Sequence, residues 1–151
     1  MSQDSTYRPK GKIRTLTGET DIDISAGDYT AFLPLLTITP DSGRALRDVT
    51  VFLDLAKATT GFAAGHSTET IQFAVSRKVD GTNWRREASV PATALTGTLA
   101  ALRMQKIAVG DVNSGESVRI EVILSAEAAD TEFPYVITYQ GEDPTVTAVA
   151  A

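Results

Sequence analysis

The chain has 151 residues, 42% of them hydrophobic and 22% charged, and its 14 basic against 19 acidic side chains leave a formal net charge of −5. That length supports one domain with its own core, and the 37 Leu, Ile, Val and Phe residues stand above the roughly one-fifth share below which charged chains tend to stay unfolded. No apolar run approaches the roughly 18 residues of a membrane-spanning helix, and the opening MSQDSTYRPKGK is polar where a signal peptide carries its apolar stretch. The expectation is a soluble protein without a secretion signal or membrane partner. Absence of cysteine excludes disulfides, thiolate metal sites and cysteine nucleophiles, and an acidic total argues against phosphate-binding and hence against a nucleic-acid partner.

In chain order, Met1 to Gly11 is polar and is expected to be an arm. Weaker strand patterns follow at Lys12 to Thr17, Asp21 to Ser25 and Tyr29 to Thr39, with Gly18 and Gly27 as turn signals. From Arg47 to Leu55 the alternation is clean, with Val49, Val51, Leu53 and Leu55 on one face and Thr50 and Asp54 opposite, although Phe52 puts an apolar group outside. Glu69 to Val79 places Ile71, Phe73 and Val75 inward and Gln72, Ala74 and Ser76 outward. It runs into Asp80-Gly81, a dipeptide that favours a two-residue type I′ turn and predicts antiparallel pairing with Thr82 to Glu87.

Ala92 to Met104 has leucines at helical spacing, but Thr96, Gly97 and Thr98 disfavour a helix, so it reads as a loop into a strand at Met104 to Val109. Ser117 to Ser125 alternates again, with Val118, Ile120, Val122 and Leu124 against Arg119 and Glu121. Tyr135 to Gln140 puts Tyr135, Ile137 and Tyr139 on one face, and Gly141 onward has few large side chains to bury. The 20 threonines fit the same picture of short strands and turns. The expected fold class is all-β, a single sandwich or small barrel of eight or nine short antiparallel strands. Its expected bounds are an arm over 1–11, the domain over 12–141 and a tail over 142–151.

The side chains able to carry chemistry are few. His66 is the only histidine and sits in a Gly-rich stretch with one nearby acid, Glu69, and no serine has the G-x-S-x-G surround of a nucleophile elbow. Asp111 to Gly115 begins like a calcium loop but has Val122 where the bidentate glutamate belongs, so it reads as a turn. Asp21 and Asp23 share a strand face and read as a solvated pair. No catalytic, metal or cofactor site is expected. Trp84, the only tryptophan, reads first as packing across its hairpin, in which case truncation to alanine costs about 3 kcal/mol or more. Alternatively, Trp84 beside Arg85 and Arg86 forms a ligand platform that stacks on a sugar or a base. Arg8, Lys10, Lys12 and Arg14 make an alternating basic run beside Tyr7, readable as a solvated tail or as an arm that docks on an acidic partner.

The stretch from Val49 to Glu87 combines a V-x-L-D-L strand, a Gly-, Ser- and Thr-rich loop, a strand ending in lysine and a D-G-x-x-W hairpin. Over these roughly 40 residues the chain resembles small tailed-bacteriophage virion proteins that decorate or cement capsids. That resemblance implies a jelly-roll-like β-sandwich and a non-enzymatic protein on the outer capsid surface, made in the host cytoplasm, whose partner is the major capsid protein. It also implies self-association as a trimer or dimer. The residues suited to partner contact are Tyr7, Arg8, Lys10 and Lys12 of the arm and Phe62 of the loop. The alternative is a carbohydrate-binding or adhesion module of a tail or head fibre that uses Trp84 and Arg85.

Overall fold

The computed structural model describes residues 12–24, 32–41, 43–54, 70–89, 93–94, 104–124 and 128–148. These contain ten strands and no helix: β1 (Ile13–Ile24), β2 (Leu33–Thr39), β3 (Leu46–Asp54), β4 (Thr70–Lys78), β5 (Arg85–Ser89), β6 (Thr93–Ala94), β7 (Met104–Val112), β8 (Ser117–Leu124), β9 (Ala128–Gln140) and β10 (Thr145–Ala148). One sheet has the order β1-β9-β3-β7 and the other β10-β2-β8-β4-β5, with β6 beside β4.

With β6 and β10 set aside, eight strands remain, and the first pairs with the last, the second with the seventh, the third with the sixth and the fourth with the fifth. This is one long antiparallel ribbon rolled into two facing sheets, the winding of a jelly roll. The β4–β5 turn, carrying Asp80 and Gly81, is the tip of that ribbon. The all-β sandwich expected from the sequence is therefore the fold.

Period-2 alternation builds the core. Val49, Val51 and Leu53 of β3, Ile107 of β7, and Tyr135, Ile137 and Tyr139 of β9 bury one face of the first sheet. They meet Leu36 and Ile38 of β2, Ile71, Phe73 and Val75 of β4, and Val118, Ile120 and Val122 of β8. A bulge in β2 between Pro34 and Leu36 leaves Leu35 buried beside Leu36, and the buried Thr20 hydroxyl of β1 donates to the Leu35 carbonyl at 2.7 Å. That bond links the two sheets where the ladder is interrupted.

Several expectations are corrected. The two strands separated at Gly18 are one, because Gly18 lies mid-strand opposite Tyr135 and a Cβ there would collide with the tyrosine ring. Its missing side chain makes room for an aromatic rather than for a turn. At the β4–β5 tip the pairing is as expected, but the turn is not a two-residue type I′: Arg77 faces Arg85, so residues 78–84 lie between the first paired residues. Only Gly81 has positive φ there, at 76°, while the Asp80 carboxylate accepts from the amides of Thr82 at 2.9 Å and Asn83 at 2.7 Å. Aspartate caps the loop from its side chain instead of entering the left-handed region.

The tail expected from 142 contains β10, which pairs with β2 from Thr145↔Thr39 to Ala148↔Leu36, so the sheet continues past residue 141. Val146 and Ala148 pack against the core from this edge, which is why so plain a segment is held. Strand β9 begins at Ala128, well before Tyr135, and Thr93–Ala94 within the expected loop pairs with β4. The arm over 1–11, the loop residues around Phe62 and His66, and 95–103 lie outside the described residues.

Candidate functional site

The second sheet also has an outer face, and it is not simply solvated. Because Val118, Ile120 and Val122 point inward, Arg119, Glu121 and Ile123 of β8 point outward, and in β4 the same logic turns Ala74, Ser76 and Lys78 outward. Register then aligns three strands: Ser76 lies opposite Arg119 on one side and Arg86 on the other, and Ala74 lies opposite Glu121. Ala74, Ser76 and Glu121, all expected on a polar outer face, are buried there. Phe32, Trp84, Arg86 and Arg119 stand around Ser76 and Glu121.

Glu121 is the centre of this arrangement, with its side chain only 4% exposed. Ser76 Oγ donates to Oε1 at 2.5 Å, Arg119 donates to Oε2 from Nε at 3.1 Å and Nη2 at 2.6 Å, and Arg86 Nη2 stands 3.6 Å from Oε1. A carboxylate can be buried here because a hydroxyl and two guanidinium groups replace its water. The guanidinium groups are positioned in turn by aromatic rings: Arg119 lies 4.4 Å from the Trp84 ring centre and Arg86 4.0 Å from that of Phe32, with Lys78 Nζ 5.1 Å from Trp84. Between Phe32 and Trp84 the surface sinks into an open depression of about 640 Å³ floored by Ser76, Glu121 and Ile123.

Trp84 is therefore half-buried on the outer face, against Lys78 of its own hairpin and Arg119 of β8, and takes no part in the hydrophobic core. Of its expected companions, Arg85 is exposed on β5 and does not line the depression, while alternation along β5 brings Arg86 there. Lys12 is exposed just before β1, beside Ile13 and Arg14, where Arg14 pairs with Asp143 at 3.4 Å. Tyr7, Arg8, Lys10, Phe62 and His66 lie outside the described residues.

The stretch from Asp111 to Gly115 carries the β7–β8 turn, as expected. Asp111 accepts from Arg47 at 2.9 Å and from the Asp48 amide at 3.1 Å, and these bonds hold its carboxyl below the usual range. Among the described residues no group of three His, Asp or Glu side chains could hold a metal ion.

Sequence reading missed Phe32, Ser76, Lys78, Arg119 and Glu121. The available signal was the polar alternation of β4 and β8, but it marked these positions as a solvent face and could not say which strands lie side by side. No known family model, curated protein or solved structure matches this chain.

Proposed function

We propose that this chain is a structural, non-enzymatic virion protein that decorates or cements a tailed-phage capsid, seated on the outer surface at junctions between major capsid protein subunits. The observation that supports it is the winding of the sandwich: a single ribbon rolled from its β4–β5 tip, an architecture shared with viral capsid domains, in a chain whose residues 49–87 resemble such decoration proteins. Its attachment is by surface. Lys12 lies exposed just before edge strand β1, next to the exposed Ile13 and Arg14, a mixed basic and apolar corner suited to an acidic partner surface, and Tyr7, Arg8 and Lys10 precede it in the sequence. Contacts of this kind are individually weak and gain strength by symmetric repetition and self-association as a dimer or trimer.

Co-sedimentation of the purified protein with undecorated capsids of the encoding phage tests this reading. Saturable pelleting at a simple ratio to capsid subunits is the expected result, and removal of Met1 to Gly11 is expected to weaken it without lowering the unfolding midpoint. Absence of pelleting at saturating protein overturns the proposal. A second reading, a carbohydrate-binding or adhesion module of a head or tail fibre, draws its support from the Trp84 depression on the outer sheet face. Binding on a glycan array without capsid binding would favour it.

A further inference from the structure

We propose that the depression between Phe32 and Trp84 binds an acidic saccharide, a sugar ring bearing a carboxylate, with Arg86 and the outer edge of Arg119 as its anion-binding groups. The inference rests on the saccharide-binding reading of this surface and narrows its ligand to one chemical class. It is independent of capsid attachment, since a protein carried on a capsid can still present this face outward.

Donors and acceptors are out of balance in the depression. Glu121 is the carboxylate of the floor, and both its oxygens are engaged, Oε1 by Ser76 and Oε2 by two nitrogens of Arg119. It has little left to offer a ligand hydroxyl. The cations are in the opposite condition. Among the described residues the Arg86 guanidinium donates no hydrogen bond and meets Glu121 only at 3.6 Å, and Arg119 keeps Nη1 after spending Nε and Nη2 on Glu121. Two guanidinium groups thus line the depression beside one saturated carboxylate, so the site presents surplus donors and positive charge. Neutral sugars need acceptors as well as donors, whereas a carboxylate needs only donors, and guanidinium forks match its geometry.

The walls limit what carries that carboxylate. Phe32 and Trp84 flank an opening of about 640 Å³, the size of one or two sugar rings and far larger than a bare anion. Stacking on those rings also fixes the planes of Arg86 and Arg119 before any ligand arrives, so little ordering entropy is lost on binding.

Trp84 is the only tryptophan, so its fluorescence reports on this surface directly. The full chain is titrated with trigalacturonic acid and its methyl ester, with 3′-sialyllactose and lactose, and with glutarate as a carboxylate without a ring. Saturable quenching by an acidic sugar, at least tenfold tighter than by its neutral counterpart and than by glutarate, and weakening with added salt, is the expected result. Arg86→Gln is expected to weaken it about tenfold or more while the protein stays folded, because Ser76 and Arg119 still hold Glu121. Equal binding of acidic and neutral sugars overturns the charge selection and leaves the saccharide reading standing. Glutarate binding as tightly as the sugars overturns the saccharide class. No quenching by any acidic sugar overturns the inference, and no quenching by any sugar, acidic or neutral, overturns the saccharide reading with it.

Discussion

Thr20 shows how one side chain can serve both sheets. It is buried, and its hydroxyl satisfies the carbonyl of Leu35, the extra residue of the β2 bulge. Thr20→Val keeps the shape and removes the donor, so chemical denaturation is expected to show a loss of about 1 to 3 kcal/mol, the cost of a buried acceptor left unpaired. Trp84 gives the opposite case. Its ring lies outside the core against Lys78 and Arg119, so Trp84→Ala is expected to cost about 1 kcal/mol, the scale of a cation–π contact, and less than the roughly 3 kcal/mol of a core aromatic. Urea melts of the two variants side by side check both values. Neither burial was legible from residue type, because a fully buried threonine and a half-buried tryptophan depend on what lies across the sheet.

At the scale of elements, the β4–β5 loop is held by one carboxylate. The amides of Asn83 and Thr82 and the Asn83 side chain donate to Asp80 and bring its pKa down to about 2. A depressed carboxyl pKa means that this contribution is complete above the ordinary value of 3.8 and fades as pH falls through about 2. Hydrogen exchange at the Thr82 and Asn83 amides is therefore expected to be slow at neutral pH and to lose its protection in that acid window, and Asp80→Ala is expected to abolish the protection at every pH. The sequence placed a hairpin here correctly but misjudged its turn. Asp-Gly is compatible with a two-residue turn and with a wider side-chain-capped loop, and register set by β4 against β5 and β8 selects the wider one. Likewise Gly18 is equally legible as a turn or as a gap for an aromatic until Tyr135 is known to lie opposite.

For the molecule as a whole, Arg77 is the clearest tie between distant parts of the rolled ribbon. Its side chain is 15% exposed, and from β4 it reaches Glu87 of β5 at 2.5 Å, Glu116 of the β7–β8 turn at 3.0 Å and the Asp111 carbonyl of β7 at 2.7 Å. Burial alone would lower its pKa, but the two glutamates outweigh that and raise it, so the clamp stays charged across the working pH range. Arg77→Met is expected to destabilise by about 2 to 4 kcal/mol, because it strands Glu116 and the Asp111 carbonyl along with the exposed Glu87. Thermal or urea unfolding of the variant measures it.

The sequence by itself determined the all-β class, the inward sets of β3, β4, β8 and β9, and the hairpin at the ribbon's tip, because period-2 alternation and turn chemistry are local properties of the chain. Tertiary structure decided what is non-local. It set the pairing of first strand with last, drew β10 into the sheet beside β2, and gathered Arg86, Arg119, Glu121 and Phe32 around Trp84. Those residues are spread from position 32 to 121, and only strand register, a property of two segments at once, brings them to one face.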